Sequence, residues 1–324
     1  MKEILKANQR IQRFVNKTPI VSSSLLNKWT GHEIYFKVEC LQKIGAFKAR
    51  GACNTVSWLV ENNKKPKQIV ANSSGNHAQA VAWASSQFGI PSKIYMPDYS
   101  SKVKIQATRH YGAEVELCKT RDIADKKVKE HGNEEGAFWI PPFNHLHVIA
   151  GQGTVTQEIL SELDDVNAIF APCGGGGLLS GTVIAAHGLS TKTKVYGAEP
   201  LNANDAAQSL KMNAIQRLQS VPDTLADGAM TMAVGDITFE YLKKLDGMYE
   251  IEETDMVYWT QWLTHLLKLH IEPTSALGMV AGFQWLKAQK TKKRIVVILS
   301  GGNIDQKTQS KIWEKSYLEI EPGI

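Results

Sequence analysis

The chain has 324 residues, of which 43% are hydrophobic and 21% charged, and its formal net charge is +5. This is the composition of a soluble globular protein with one large or two medium domains, which excludes a disordered chain. No stripe of basic residues interleaved with aromatics marks a nucleic-acid surface, and no run approaches the roughly 18 apolar residues of a membrane span. Neither nucleic acid nor membrane is therefore an expected partner. Residues 1–6 have no signal-type apolar segment, so the cytoplasm is the expected location. Cys40, Cys53, Cys118 and Cys173 form no CxxC pair and read as buried free thiols.

In chain order, Ile4, Ile11 and Val15 fall at helical intervals and predict a helix over 3–15, ended by Thr18-Pro19. Residues 21–29 read as a short helical piece and 33–39 as a strand. A glycine-flanked loop around Lys48 precedes a helix over 52–61. Strands at 69–71, 94–97 and 114–117 then alternate with helices at 78–88, 102–110 and 122–131. The alternation resumes with a helix at 155–163, a strand at 168–171, a helix at 178–187 and a strand at 194–199. Helices at 257–268 and 276–288 lead to an apolar strand at 294–299. Such βα alternation predicts an α/β protein with two open twisted sheets under covering helices. Pro141-Pro142 lies at the seam between the two units. The expected division is a large domain of residues 1–66 and 146–324, with a small domain, 67–145, inserted in it.

Four segments carry the chemistry. Lys48 sits among small residues, with Phe47 before it and Gly45 and Gly51 on either side. A lysine held out of water has a depressed pKa and can form a Schiff base, whereas a solvated one is an ordinary surface residue. Ser73-Ser74-Gly75-Asn76-His77 lies between a strand and a helix, where free N–H groups bind a carboxylate or a serine simply caps the helix. Gly174 to Gly177 also separate a strand from a helix, the setting of a phosphate cradle. A dinucleotide site is the rival there, with Glu199 in the place of a ribose-binding acid, but GxGxxG fails in register at Leu179 or Ser180. Ser300-Gly301-Gly302-Asn303 ends the last strand with either a turn or a hydroxyl for a ring nitrogen. In open α/β sheets such strand ends are where ligands bind. A lysine, a phosphate cradle and polar groups for a ring together suit pyridoxal phosphate.

These motifs, with Ala150-Gly151-Gln152-Gly153-Thr154, resemble the fold-type II pyridoxal-phosphate enzymes of the tryptophan synthase β-like fold. More narrowly, they resemble the serine/threonine dehydratase and serine racemase family. The likeness runs from about residue 17 to Asn303. It implies that Lys48 is the Schiff-base lysine, with Phe47 beside the ring, Asn76 on the ring hydroxyl and Glu272 near the cofactor. Gly174, Gly175, Gly176, Gly177 and Leu178 would hold the phosphate, and Ser300 would face the pyridine nitrogen. Ser73, Ser74, Gly75, Asn76 and His77 would bind the substrate. Ser74 would be the catalytic group on the face opposite Lys48, as in the racemase-like members.

The resemblance also implies Mg²⁺ (or Ca²⁺ or Mn²⁺) at Glu199, Ala203 and Asp205, oxygen ligands of the kind hard cations take. It implies a homodimer as well. The expected activity is an L-serine/L-threonine dehydratase that yields a 2-oxo acid and ammonia. Serine racemisation and 3-hydroxyaspartate elimination are alternatives, and a non-catalytic nucleotide-binding or sensor protein is the alternative of another class. Pro141 stands where the family usually has histidine, and Arg121 is a candidate partner for a second substrate carboxylate. The chain ends at Ile324 without the regulatory domain of biosynthetic threonine dehydratases, so isoleucine feedback is not expected.

Overall fold

A computed structural model describes residues 1–323. Ten strands form two sheets. One contains β1 (Ile20–Ser22), β2 (Glu33–Val38), β7 (Ala168–Pro172), β8 (Lys194–Pro200), β9 (Gly247–Ile251) and β10 (Arg294–Leu299), in the order β1-β2-β10-β7-β8-β9. Only β1 is antiparallel to its neighbour. The other contains β3 (Gln68–Asn72), β4 (Ser92–Pro97), β5 (Glu114–Cys118) and β6 (Ala137–Trp139), all parallel, in the order β5-β4-β3-β6. The inner strands β7 and β10 are buried on both faces, which is why they read as unbroken apolar runs.

Three strands escape the sequence pattern: β1, β6 and β9. Each is an edge of its sheet and half-exposed along most of its length, so it carries little apolar signal. Residues 21 and 22, expected as the start of a helical piece, belong to β1 and pair with β2, and the helix there is Ser24–Thr30. The first helix ends at Ile11, earlier than expected, and the helix of the Ala150–Thr154 motif is longer, Leu146–Glu162.

Lys48 is not in a loop. It is the first residue of the helix Lys48–Glu61. Ile44 and Gly45 take φ of 59° and 71°, which turns the chain sharply, and Ala46 bridges to Gly301. The helix starts at once after this turn, with Phe47 as its N-cap. Its packing partner is Leu146–Glu162, which it approaches so closely that a Cβ on Gly151 would lie 2.6 Å from the Arg50 carbonyl oxygen. No larger residue fits there without separating the helices.

Two residues beyond Lys48, a buried charge cluster locks this packing. The Arg50 guanidinium donates to both Glu39 oxygens (2.8 Å each) and to Glu158 (2.7 and 2.9 Å). Lys37 Nζ of β2 donates to Glu158 at 2.6 Å. Burial acts to raise the Glu39 carboxyl, but the Arg50 charge and hydrogen bonds, the Thr18 hydrogen bond and the Lys37 charge together outweigh it and hold the group below its ordinary range. Two cations and two anions thus balance out of contact with water. Removing one partner strands a charge, at a cost of about 3–5 kcal/mol. Glu158→Gln is expected to lower unfolding stability in urea by about that amount. A loss below about 1 kcal/mol, the scale of an exposed pair, contradicts this account.

Candidate active site

Two strands of the larger sheet, β7 and β10, lead into the site. After β10, Ser300 is buried, and its carbonyl accepts from Phe47 N–H at 3.0 Å. Gly302 N–H donates to the Gly45 carbonyl at 2.9 Å. The segment before Lys48 is therefore stitched to the end of β10. Ser275 Oγ donates to the Gly301 carbonyl (2.7 Å) and lies 3.2 Å from Ser300 Oγ. With the Ser275 proton so used, Ser300 is the donor of that contact. Its hydroxyl is a neutral donor that can turn to a ring nitrogen without carrying charge.

Lys48 Nζ donates to the Pro142 carbonyl at 2.7 Å and lies 5.2 Å from the Phe47 ring centroid. Burial lowers its pKa to about 8, against the opposing pull of the Glu272 charge. The next residue after Pro142, Phe143, lays its ring on the glycine loop. A Cβ built on Gly175 would fall 2.1 Å from that ring, and one on Gly177 3.0 Å from Phe143 Cβ. On the other side, a Cβ on Gly174 would lie 2.9 Å from the Gly228 carbonyl oxygen, and Gly176 has φ of 86°. Backbone N–H groups at the start of the helix Gly177–Leu189, bare of side chains, form an anion cradle. The crossover 140–146 joins this cradle to Lys48.

Asn76, first residue of the helix Asn76–Gln87, donates through Nδ2 to both Glu272 oxygens (3.0 and 3.2 Å). Its Oδ1 accepts from Asn303 Nδ2 at 2.8 Å. The Asn303 amide nitrogen only donates, so the Asn76 amide orientation is fixed, and the group left over at Asn76 is one N–H donor. Burial raises Glu272 to about 7, and the Asp227 charge adds to this. His77 is buried, and its Nε2–H donates to the Ile140 carbonyl at 2.8 Å. Burial, then the Lys48 charge, depress it to about 3, so the ring is neutral at physiological pH. What His77 offers a ligand is its backbone N–H in the first helical turn, beside that of Asn76. Ser73 Oγ accepts from Gly75 N–H at 3.2 Å, and Ser74 is exposed.

Glu199 and Asp205 form a separate buried pair. Glu199 accepts from Ala206 N–H (3.2 Å) and Ala207 N–H (2.6 Å) at the start of the helix Asp205–Met212. Asp205 Oδ2 is buried without a partner, while Oδ1 accepts weakly from Thr231 at 3.5 Å. Burial raises Asp205 to about 7, and raises Glu199 well above the usual range with the Asp205 charge adding. Ala203 is buried in the turn between them. Among the described residues, no group of three or more His, Cys, Asp or Glu is arranged for a metal.

The sequence reading did not assign Pro142, Phe143, Asn303, Asp227 or Gly228 to the site. The first two lie in a crossover with no periodicity, and the last two in an irregular loop. Asn303 alone was legible, as the final residue of a motif. Arg121, the candidate second carboxylate partner, is exposed and donates to the Met230 carbonyl at 3.0 Å.

The donor set fits pyridoxal phosphate: an amine with a lowered pKa, an anion cradle, a neutral hydroxyl donor and one oriented amide N–H. The comparisons agree. The pyridoxal-phosphate dependent enzyme family matches residues 11–301. L-threo-3-hydroxyaspartate ammonia-lyase of Saccharomyces cerevisiae is 41% identical over 94% of this chain and 93% of its own length. Serine racemase of Schizosaccharomyces pombe is 40% identical, with 94% of each covered. The crystal structure of T.th. threonine deaminase superposes with a TM-score of 0.88 at 36% identity, over 94% of this chain and 98% of that one. The packing of Phe143 on Gly175 sets a test of the cradle. Gly175→Ala is expected to reduce cofactor affinity by about tenfold or more, read by visible absorbance. Phe143→Ala in the same chain restores part of the loss; no loss in the single variant contradicts the steric account. From its fold, its site and a family match that spans residues 11–301, the chain belongs to the pyridoxal-phosphate dependent enzymes of fold type II.

Proposed function

We propose that the protein is a pyridoxal-phosphate-dependent ammonia-lyase of hydroxy amino acids, with L-serine and L-threonine as its first substrates. The observation that carries this reading is a buried amine of lowered pKa, Lys48, beside a buried hydroxyl, Ser300, at the position that the family resemblance sets against the ring nitrogen. Bound pyridoxal phosphate supplies an electron sink for the substrate's α-carbon. Lys48 would hold the cofactor, and its amine is the base that would take the α-proton. At pH 7 a pKa of about 8 leaves roughly a tenth of this amine neutral, against a trace for an ordinary lysine. The N–H groups of Asn76 and His77 receive the substrate carboxylate, and the neutral His77 ring adds no charge there. A hydroxyl at Ser300 cannot stabilise a protonated ring nitrogen as a carboxylate does, which favours prompt loss of the β-hydroxyl.

Racemisation is the second reading. It rests on Ser74, an exposed hydroxyl in the carboxylate loop, as the proton donor on the face opposite Lys48, and on the similarity to a serine racemase. Elimination from 3-hydroxyaspartate is supported by the 41% identical relative. Against it, the Arg121 guanidinium already donates to Met230. The same reading takes residues 67–145 as a small domain, the assembly as a homodimer and the location as the cytoplasm. It also places Mg²⁺, or Ca²⁺ or Mn²⁺, at Glu199, Asp205 and the Ala203 carbonyl. The unpartnered Asp205 oxygen and two carboxyl groups buried side by side support a cation there.

The deciding experiment is a panel of hydroxy amino acids scored for 2-oxo acid and for the D-enantiomer. Production of 2-oxo acid from L-serine and L-threonine is expected, and activity on 3-hydroxyaspartate alone overturns the substrate order. Ser74→Ala is expected to abolish D-enantiomer formation while elimination persists. Lys48→Ala is expected to lose both activities and the borohydride-fixed label. Because a neutral amine is needed to attach the cofactor, the rate of reloading stripped enzyme should rise with pH to a midpoint near 8 and then level. A midpoint above about 9.5 would mean an ordinary lysine. Mg²⁺ is expected to raise the melting temperature after chelation by several degrees, an effect lost in Asp205→Asn. An equal rise in both proteins removes the cation from this site.

A further inference from the structure

The chain crosses between its two sheets twice, along 62–67 and back along 140–146. Beside these crossings is an open cleft of about 510 Å³. Its walls include Trp58, Phe138, His145 and His147, and Lys64 and Lys65 lie among its lining residues. None of these side chains serves the reaction. The Trp58 indole stacks on His147 at 3.9 Å between centroids, and the Lys64 ammonium lies 5.0 Å from the indole centroid. His145 packs edge-on to Phe138 at 6.0 Å, and its Nδ1 is buried without a hydrogen-bond partner. Burial depresses this imidazole to about 4, so it is a neutral hydrogen-bonding group.

The charge is one-sided. Lys65 Nζ donates only to the Phe88 carbonyl, at 3.1 Å, and the neighbouring acid Glu61 is paired with Arg10 instead. Neither Lys64 nor Lys65 has a carboxylate partner among the described residues. Aromatic walls and two ammonium groups without carboxylate partners match a planar aromatic anion. The cleft also borders the catalytic machinery through a short piece of chain. His145 is three residues from Pro142, which receives Lys48, and two from Phe143, which covers Gly175.

We propose that this cleft is a second small-molecule site, specific for planar aromatic anions, and that its occupant alters cofactor retention through residues 142–145. The test is a ¹⁹F NMR titration of the holoenzyme with 4-fluorobenzoate and 4-fluorophenyl phosphate, with neutral 4-fluorobenzamide as control. Saturable binding of at least one anion below about 1 mM is expected, and about tenfold weaker binding of the amide. The double variant Lys64→Gln/Lys65→Gln should bind the anion about tenfold more weakly at unchanged basal turnover. Saturating anion should change the rate of cofactor release by about threefold or more, as coupled sites require. Five results overturn the proposal: no saturable binding, equal binding of the amide, binding that survives the double variant, displacement of the anion by added L-serine, and an unchanged cofactor release rate. Whether the two anions differ decides only between carboxylate and phosphate as the preferred head group, and a preference of either kind supports the site.

Discussion

Four buried charges hold Lys48 in place. Arg50 is two residues from Lys48 on the same helix, and its guanidinium binds Glu39 just after β2 and Glu158 on the neighbouring helix. Lys37 completes the balance from within β2. A guanidinium has a rigid fork of donors, so its two carboxylates define its position and its orientation together. The helix Lys48–Glu61 is thereby fixed against both the sheet and the helix Leu146–Glu162. Burying four charges is costly in itself, and a hydrophobic cluster of equal volume would stabilise the chain as well or better. The cluster supplies direction, and a lysine that must meet an atom of a bound cofactor needs direction.

From that anchor the site is assembled by segments that lack regular structure. The end of β10 receives the turn before Lys48 through backbone bonds from Phe47 and Gly302. The crossover 140–146 reaches Lys48 with the Pro142 carbonyl, the glycine loop with the Phe143 ring, and His77 with the Ile140 carbonyl. One stretch of chain thus touches the amine, the anion cradle and the carboxylate loop. It is also one of the two crossovers that join the four-stranded unit to the six-stranded one. Its composition, two prolines and an aromatic, restricts the backbone where a flexible linker would not.

The sequence disclosed the site better than it disclosed the edges of the fold. Inner strands such as β7 and β10 announce themselves as apolar runs, and the glycine loops follow directly from them. The edge strands β1, β6 and β9 stayed hidden because half of each faces water or a loop. Lys48 was legible as a chemical group and not as a helical one. The turn before it depends on Ile44 at positive φ, a conformation that an isoleucine sequence does not advertise and that contact with Gly301 and Asn303 maintains. Phe143 was missed, and Asn303 was left without a role, for a common reason: each acts on a partner far away in sequence, Gly175 and Asn76 respectively. Local pattern carries no record of such pairs.

The orientation of Asn76 shows how much of the site's chemistry is set before any ligand arrives. Glu272 can only accept when ionised, and it takes the Asn76 amide nitrogen with both oxygens. Asn303 donates to the amide oxygen from the other side. With oxygen and one hydrogen committed, Asn76 has a single N–H left to give, and it cannot flip to present its carbonyl without leaving two groups unpaired. Ser300 is likewise a donor and Lys48 an amine of lowered pKa. The groups expected around the ring therefore offer hydrogen-bond donors and little formal charge, while the carboxylate that could have supplied charge, Glu272, is turned toward Asn76 and raised to about 7 by burial. Such a site can orient a ring and accept its oxygen without holding a proton on its nitrogen. That is the electrostatic condition under which a β-hydroxyl leaves sooner than a carbanion accumulates.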